Sequence, residues 1–257
     1  MIPKIFHLFW HNGPISYLRH LTFVSLRHHH PDWKIYLHTS PKYKAVQWDY
    51  EQQDFNDQTC DMDYMNQVKD IVDEIRVYDK HPDKSPNFQS DFFRWDILHD
   101  IGGFYLDTDQ IILKSFNDLV SYQFVYTMYD SYAPVGVVGA QPGVDVVQKI
   151  KAYLSQRYDP HDYNSIGPYM FLSALTLFSN EVSKIKSVNM GTSFYPVPYS
   201  HGVQKIYDGT CEITPDKYAL HWFGGHPLSQ KFNKQYKPNS HGHDTISKIV
   251  SHYIGGP

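Results

Sequence analysis

Short apolar runs and helical repeats of apolar residues alternate along the first half of the chain. The run Ile5–Trp10 predicts a buried strand, and the alternation over residues 33–38 predicts a second one. Between them, Ser16 stands at the N-cap position of a helix predicted over residues 17–29, and Pro31 follows that helix. The chain is therefore expected to begin as strand, helix and strand.

Two further helices and two strands are predicted before residue 115. Apolar residues at helical spacing predict a helix from Asp61 or Asp63 to about Tyr78. A second helix is predicted over residues 87–101, because the double glycine at 102–103 is a typical helix end. Strands are expected at residues 104–107 and 110–113.

The second half of the chain continues this pattern. Predicted strands cover residues 124–128, 135–140, 194–197 and 218–222, and predicted helices cover residues 144–158, 166–178 and 244–253. Residues 224–242 are rich in Gly, Pro, Lys, His and Asn, which predicts a loop and a C-terminal lid segment. We expect one α/β domain over residues 1–257, with helices packed on a mostly parallel sheet.

Two carboxylates, Asp107 and Asp109, stand at the end of the strand predicted at residues 104–107. Burying two carboxylates is costly unless a cation compensates their charge. Ligands of open α/β sheets bind beyond the carboxyl ends of strands, where Trp10 also lies. A divalent metal ion that also binds a diphosphate, Mn²⁺ or Mg²⁺, is the natural partner of such a pair. The leaving group of a nucleotide sugar carries this diphosphate.

Asp91 and Arg94 are three residues apart on the predicted helix 87–101, so they share one face. Taken alone, this pair would be an ion pair on a solvated helix, a bare Asp-x-Asp would be a solvated turn, and Trp10 would be a core ring. The helix, the double glycine and the apolar strand that ends in Asp107 follow one another directly, and this order favours a functional site.

This order of elements resembles a known family. Residues 90–109, SDFFRWDILHDIGGFYLDTD, are similar to the pattern SDxxRxxxLxxxGGxYLDxD of the glycosyltransferases that have a sugar-binding region with a DXD motif. Three other segments resemble family elements in the same chain order: residues 2–10 resemble IPKIIHxxW, residues 165–168 resemble TGP, and residues 219–227 resemble AIHHWxGSW. The family includes the yeast-type initiating α-1,6-mannosyltransferase, bacterial capsular polysaccharide transferases and, more distantly, glucosylating toxins.

The resemblance implies a GT-A fold, with a Rossmann-like mixed sheet flanked by helices and a small helical insertion. It also implies transfer of a hexose with retention of anomeric configuration. It places Trp10 against the donor base, and Asp91 and Arg94 on the transferred sugar. Asp107 is expected to contact ribose, sugar and metal, and Asp109 to bind the metal.

One segment departs from the family pattern. Residues 225–227 are Gly-His-Pro where the family has Gly-Ser-Trp, an end that approaches the metal and the diphosphate. His221 and His226 are candidates to supply the missing ligand, because imidazole binds Mn²⁺.

These expectations combine into one function, the metal-dependent, retaining transfer of a sugar from a UDP- or GDP-sugar to a hydroxyl of a glycan or a lipid-linked acceptor. The expected route is front-side attack with a donor phosphate oxygen as base. Two alternatives stay open. A sugar-nucleotide hydrolase or phosphoesterase would use the same carboxylates with water, and a non-catalytic relic would only bind a glycan or a nucleotide.

The composition of the chain narrows the classes of binding partner and the cellular location that we expect. The net charge of −4 and the absence of Lys/Arg runs argue against nucleic-acid binding through a broad basic face. No apolar run approaches the length of a transmembrane helix, and residues 2–10 are too short and too polar for a signal peptide. The two cysteines, Cys60 and Cys211, are far apart, which predicts reduced thiols and a cytoplasmic location. Peripheral membrane association through a lipid-linked acceptor is left open.

Overall fold

The computed structural model describes residues 1–11, 13–44, 62–235 and 242–251. Its strands are β1 (Ile5–Trp10), β2 (Lys34–Thr39), β3 (Glu74–Val77), β4 (Gly103–Leu106), β5 (Gln110–Ile112), β6 (Phe124–Tyr126), β7 (Val137–Ala140), β8 (Ser187–Asn189) and β9 (Ala219–His221). Its helices are α1 (Tyr17–His29), α2 (Met65–Ile71), α3 (Pro86–Asp100), α4 (Asp145–Arg157), α5 (Pro168–Leu177), α6 (Ser179–Ser183), α7 (Tyr199–Tyr207), α8 (Pro227–Gln235) and α9 (Thr245–Ile249).

Seven strands form one mixed sheet in the order β3-β2-β1-β4-β7-β6-β8. The pairs β1–β2, β1–β4, β2–β3 and β6–β8 are parallel, whereas β4–β7 and β6–β7 are antiparallel. β5 and β9 form a separate antiparallel pair. The prediction of an α/β fold with a mixed, mostly parallel sheet is therefore confirmed. Helices α4, α5 and α6 follow one another between β7 and β8 and form the helical insertion.

Helix α1 begins and ends as its sequence predicts. The side chain of Ser16 accepts a hydrogen bond from the amide of Arg19, which satisfies one of the free donors of the first turn. The last turn carries Arg27, His28 and His29, whose positive charge or polarity suits the negative end of the helix dipole.

The double glycine between α3 and β4 makes the turn that brings β4 beside β1. Gly102 and Gly103 have φ angles of 73° and 101°, which residues with a Cβ rarely adopt. A Cβ on Gly103 would lie 2.6 Å from the carbonyl oxygen of Ile5, so the close approach of the two strands also requires glycine. Nε2 of His7 lies 3.0 Å from the carbonyl oxygen of Gly102 and donates to it. The glycines therefore fix where the carboxylates after β4 are placed.

Hydrophobic packing covers the sheet with helices on both faces. Trp33 and Phe104 lie in one buried cluster with β1 and β2, and Trp95 lies in another with α3, α4 and α5. Trp222 lies in a third cluster, in which α1, α7 and α9 surround the pair β5–β9. All four rings are fully buried, so the end of β4 is held by a packed core.

The helix predicted from Asp61 or Asp63 to Tyr78 is wrong in its second half. The helix spans only Met65–Ile71, and Glu74–Val77 is an edge strand that pairs with β2. Asp63 accepts a hydrogen bond from the amide of Met65, and Asp61 lies outside the described residues. Apolar spacing continues through Ile75, but the free edge of β2 offers this segment a ladder of backbone hydrogen bonds, and the pairing decides its conformation.

Two predictions in the second half also need correction. Residues 194–197 are not a strand, and the strand that pairs with β6 lies at Ser187–Asn189. Within the predicted loop 224–242, Pro227–Gln235 is helix α8, whereas residues 236–241 lie outside the described residues. Proline at the first position of α8 suits a helix start, so the Pro and Gly content of this segment was a misleading signal.

Candidate functional site

Asp91 and Arg94 of α3 meet Asp107 at the end of β4. The Arg94 Nη2 atom lies 3.0 Å from Asp91 Oδ1 and 3.5 Å from Asp107 Oδ1. Arg94 is 4% exposed, and its Nε and Nη1 atoms have no hydrogen-bond partner within the described part of the chain. The structure therefore brings together the acid and the arginine on one helix face, as their spacing predicted, and turns them toward the Asp-x-Asp segment.

Tyr105 connects these groups, and the sequence reasoning missed it. Its hydroxyl donates to Asp107 Oδ1 at 2.5 Å and lies 2.8 Å from the hydroxyl of Ser90 and 3.3 Å from Arg94 Nη2. Tyr105 and Asp107 are two residues apart on an extended segment, so they point to the same side of the sheet. That period of two was the signal that could have found Tyr105.

The charges of this group depend on burial. Burial raises the pKa of Asp91 to about 7, although Arg94 lowers it. Burial disfavours the charged form of Arg94, but the neighbouring Tyr105, Asp91 and Asp107 raise its pKa above the ordinary value, so the guanidinium stays charged. The result is a fixed cation with a carboxyl group beside it, a combination that can hold sugar hydroxyls.

Asp109 and His221 form a second group, which also includes Asp107. The His221 Nε2 atom lies 3.2 Å from Asp109 Oδ1 and 3.9 Å from Asp107 Oδ2. One ligand atom from each of the three residues lies within 4.8 Å of the other two. His221 reaches this position because β9 pairs antiparallel with β5, where Gln110 and His221 are direct partners. The group therefore joins the end of β4 to the end of β9.

The donor atoms of this group fit a divalent cation. Asp109 Oδ1 is buried and makes no hydrogen bond with any residue that the structure describes. Asp109 Oδ2 accepts the amide of Gly224 at 2.7 Å, which fixes the carboxylate and leaves Oδ1 directed at His221. Nδ1 of His221 accepts the amide of Phe223, so Nε2 is the nitrogen that faces the carboxylates. Two carboxylates and an imidazole are a ligand set that Mn²⁺ and related ions accept.

The electrostatic field in this group favours positive charge. Burial opposes the charged form of His221, but the facing carboxylates of Asp109 and Asp107 raise its pKa to about 9. Burial also works to raise the pKa of Asp109, and His221, Arg19 and the Gly224 amide together hold it below the ordinary value. The field that attracts a proton to this ring also attracts a metal ion.

Arg19 connects Trp10 to the Asp-x-Asp segment. The sequence reasoning also missed Arg19. The Arg19 guanidinium lies 4.5 Å from the centre of the Trp10 ring, and its Nη1 donates to Thr108 Oγ1 at 2.7 Å. Trp10 is 4% exposed and donates from Nε1 to the carbonyl oxygen of Gly13. The contact of Trp10 with a donor base stays a prediction. No local pattern distinguished Arg19 from other cations on α1.

His226 is placed differently from His221. Its ring packs 5.2 Å from the ring of Tyr199, and its Nδ1 accepts the amide of Leu228. Among the described residues, it is not in the group that Asp107, Asp109 and His221 form. Its role as a metal ligand stays a prediction, and the geometry favours His221.

Comparison with known proteins agrees with this site. Residues 19–125 match the model of a family described as "Glycosyltransferase sugar-binding region containing DXD motif". The matched range contains Asp91, Arg94, Asp107 and Asp109. The chain is also 26% identical, over 236 residues, to an uncharacterized glycosyltransferase of Acanthamoeba polyphaga mimivirus, covering 86% of this chain and 82% of the relative. The protein is a glycosyltransferase.

Solved structures show which fold this glycosyltransferase has. It is similar to the PaToxG glycosyltransferase, with a TM-score of 0.50 and 16% identity over 71% of this chain and 73% of that one. It is also similar to the apo form of glycosyltransferase GlyE of Streptococcus pneumoniae, with a TM-score of 0.51 and 15% identity over 100% of this chain and 61% of that one. The glycosyltransferase therefore has the GT-A fold. Nothing in these comparisons singles out the yeast-type mannosyltransferase.

Two further observations on the glycosyltransferase concern membrane-spanning helices and the two cysteines. Within the residues that the structure describes, no helix is both long and apolar enough to cross a bilayer. Cys211 is a free, buried thiol, and Cys60 lies outside the described residues.

Proposed function

We propose that the protein transfers a hexose from a UDP- or GDP-sugar to a hydroxyl of a glycan or a lipid-linked glycan, with retention of anomeric configuration and with Mn²⁺ or Mg²⁺. The observation that carries the proposal is the convergence of two groups on one strand end. Asp107 is 3.5 Å from Arg94 on one side and 3.9 Å from His221 on the other. Asp107 therefore belongs both to the group with Asp91 and Arg94, which would bind the sugar, and to the group with Asp109 and His221, which would bind the metal.

Asp109, Asp107 and His221 would hold the metal ion. The buried Oδ1 atom of Asp109 and the Nε2 atom of His221, 3.2 Å apart, support this assignment. When bound, a divalent cation offsets the negative charge that develops on the diphosphate leaving group. Gly224 keeps Asp109 in position through its amide, so the carboxylate needs little reorganisation when a ligand binds.

Asp91 and Arg94 would orient the transferred sugar. The two free donor atoms of Arg94 and the second oxygen of Asp91 can hydrogen-bond hydroxyls, while their mutual contact fixes both side chains. Arg94 Nη2 lies 3.0 Å from Asp91 Oδ1 and holds this carboxyl group as a hydrogen-bonding partner on the helix face, so it is not free to attack the anomeric carbon. This supports front-side attack by the acceptor, with a donor phosphate oxygen taking the proton, over a covalent glycosyl–enzyme intermediate.

The test begins with binding. A thermal-shift panel of UDP- and GDP-sugars, each with and without Mn²⁺, should give a stabilisation of a few degrees for one nucleotide and only with metal. A ligand at 100 times its dissociation constant adds about 2.7 kcal/mol to the unfolding free energy. A shift that is the same without metal would contradict the metal-dependent part of the proposal.

Product analysis then separates the proposal from its alternatives. With an acceptor glycan, a transferase forms a new glycoside, and proton NMR of its anomeric signal reports retention or inversion. A hydrolase releases free sugar at the same rate with and without acceptor. Binding without either product would favour a relic that only binds the nucleotide sugar.

A further inference from the structure

Gln110, the first residue of β5, is a buried polar side chain without a partner. It is 0% exposed, and neither its amide nitrogen nor its amide oxygen makes a hydrogen bond within the described ranges. Tyr195 is in the same situation, since it is 4% exposed and its hydroxyl makes no hydrogen bond with a described residue. Two buried polar groups left unpaired are uncommon, because each loses its bonds to water without a replacement.

Both groups face the same point beside Asp107. An ideal Cβ built on Gly136 would lie 2.6 Å from Asp107 Oδ2, 3.0 Å from Tyr195 Oη and 3.2 Å from Gln110 Nε2. Glycine at this position therefore keeps a space that a carboxylate, a phenol and an amide surround. The side chain of Asp107 is 29% exposed, whereas Gln110 and Tyr195 are buried, so Asp107 is the member of this group that meets solvent.

Several contacts fix the position of this space relative to the site. The ring of Tyr195 lies 5.3 Å from the ring of His221, and Gln110 pairs with His221 across β5 and β9. The amide of Asp107 donates to the carbonyl oxygen of Gly136 at 2.8 Å. The space therefore lies on the Oδ2 side of Asp107, whereas Tyr105 and Arg94 contact Oδ1.

We propose that Gln110, Tyr195 and Asp107 Oδ2 bind one hydroxyl of the transferred sugar above Gly136, and that they select a neutral sugar with a free hydroxyl at that position. This inference rests on the proposed function. A hydroxyl group fits because it donates to the carboxylate and accepts from the amide or the phenol. A sugar carboxylate would meet Asp107 and Asp109 and be repelled.

The test compares two ligands on matched variants. Tyr195→Phe and Gln110→Met remove the polar atoms and keep the volumes. For the sugar nucleotide that the panel identifies, each variant should bind about 3- to 10-fold more weakly in the presence of Mn²⁺. The affinity for the matching nucleoside diphosphate, UDP or GDP, should stay within twofold of the wild type. The monodeoxy donor that lacks the bound hydroxyl should lose a similar factor on the wild type and little more on Tyr195→Phe.

The unfolding temperature separates binding from a structural role. A hydroxyl that makes no hydrogen bond in the fold should not stabilise it, so Tyr195→Phe should melt at the wild-type temperature or above. Tyr78→Phe is the matched control, because the Tyr78 hydroxyl donates to Asp96 at 2.9 Å and is not among the three atoms nearest to a Cβ on Gly136. That variant should melt lower and bind the donor normally.

Three results would overturn the inference. They are an equal loss of affinity for the sugar nucleotide and the nucleoside diphosphate, an unchanged affinity for both, and a lower melting temperature of Tyr195→Phe with normal donor binding. In each case the metal-dependent affinity for UDP or GDP would still stand as support for the proposed function. Loss of that affinity in the wild-type protein would contradict the proposed function itself.

Discussion

The carboxylate of Asp109 accepts a hydrogen bond from the backbone amide of Gly224 at 2.7 Å, across 115 residues of sequence. This contact joins the Asp-x-Asp segment to the stretch after β9, where residues 225–227 depart from the family pattern. A backbone amide makes the contact, so it does not need the Ser and Trp side chains that the family has there. A Cβ on Gly224 would lie 2.9 Å from Arg19 Nη2, so glycine also keeps this approach open.

Asp109→Asn should abolish metal-dependent binding of the nucleoside diphosphate. The substitution keeps the volume and an oxygen for the Gly224 amide but removes the negative charge that attracts the cation. Titration calorimetry with UDP or GDP in Mn²⁺ should show at least a 100-fold loss of affinity. Asp145→Asn removes an equally charged but 68% exposed carboxylate and should have no effect. Normal Mn²⁺-dependent binding by Asp109→Asn would rule out this metal site.

Arg94→Lys should weaken binding of the sugar nucleotide about tenfold and leave the nucleoside diphosphate within twofold. A lysine ammonium cannot place donors on both sides as the guanidinium does. Removing the guanidinium alone would leave Asp91 buried and unpaired, which would lower the free energy of unfolding by about 3–5 kcal/mol.

The double variant Asp91→Leu with Arg94→Met is therefore the control for folding. It replaces the pair with apolar side chains and should keep the melting temperature while losing the preference for the sugar nucleotide. If it still preferred the sugar nucleotide over the diphosphate, the pair would have no role in sugar binding.

Arg19→Met should reduce the affinity for the nucleoside diphosphate and shift the tryptophan fluorescence. The guanidinium contacts the Trp10 ring, lies 5.4 Å from the Trp222 ring and donates to Thr108 Oγ1. Thr108→Val removes only the hydrogen bond to Arg19. The difference in affinity loss between Thr108→Val and Arg19→Met therefore reports the contribution of the Arg19 charge. An Arg19→Met variant with wild-type affinity would show that Arg19 stabilises the fold without helping the site.

The buried pair His7 and His38 should reduce the stability of the fold as the pH falls below 6.5. Burial lowers the pKa of His7 to about 4 and that of His38 to about 2, with their mutual repulsion lowering His38 further. At these two rings the unfolded chain binds more protons than the folded one below pH 6.5, so their contribution to stability is complete above that pH and falls toward pH 4. His7 alone should account for a loss of about 3 kcal/mol over this range.

Urea unfolding at pH 8, 6 and 5 checks this expectation. His7→Gln keeps a donor for the Gly102 carbonyl but does not titrate, so its stability should vary less with pH than that of the wild type. His28→Gln removes an exposed histidine of α1 and serves as the control. An equal pH dependence in the wild type and His7→Gln would contradict the assignment to the buried pair.

Local spacing was enough to predict that Asp91 and Arg94 share one helix face and that Asp107 ends a strand. Asp91 and Arg94 share a face because a helix repeats every 3.6 residues, and Asp107 follows β4 because an apolar run ends there. The double glycine was equally readable, since its φ angles of 73° and 101° exclude most other residues. These features depend on a few consecutive residues, so the sequence carries them directly.

The sequence by itself determined the α/β order of elements, the shared helix face of Asp91 and Arg94, the position of Asp107 and Asp109 at a strand end, and His221 as a candidate ligand. Only the tertiary structure decided that Glu74–Val77 is a strand, that Arg19 contacts Thr108, and that Gln110 and Tyr195 face Gly136. The physical reason is distance along the chain. A helix face follows from neighbouring residues, whereas an edge pairing or a polar contact between distant segments depends on which surfaces the folded core brings together.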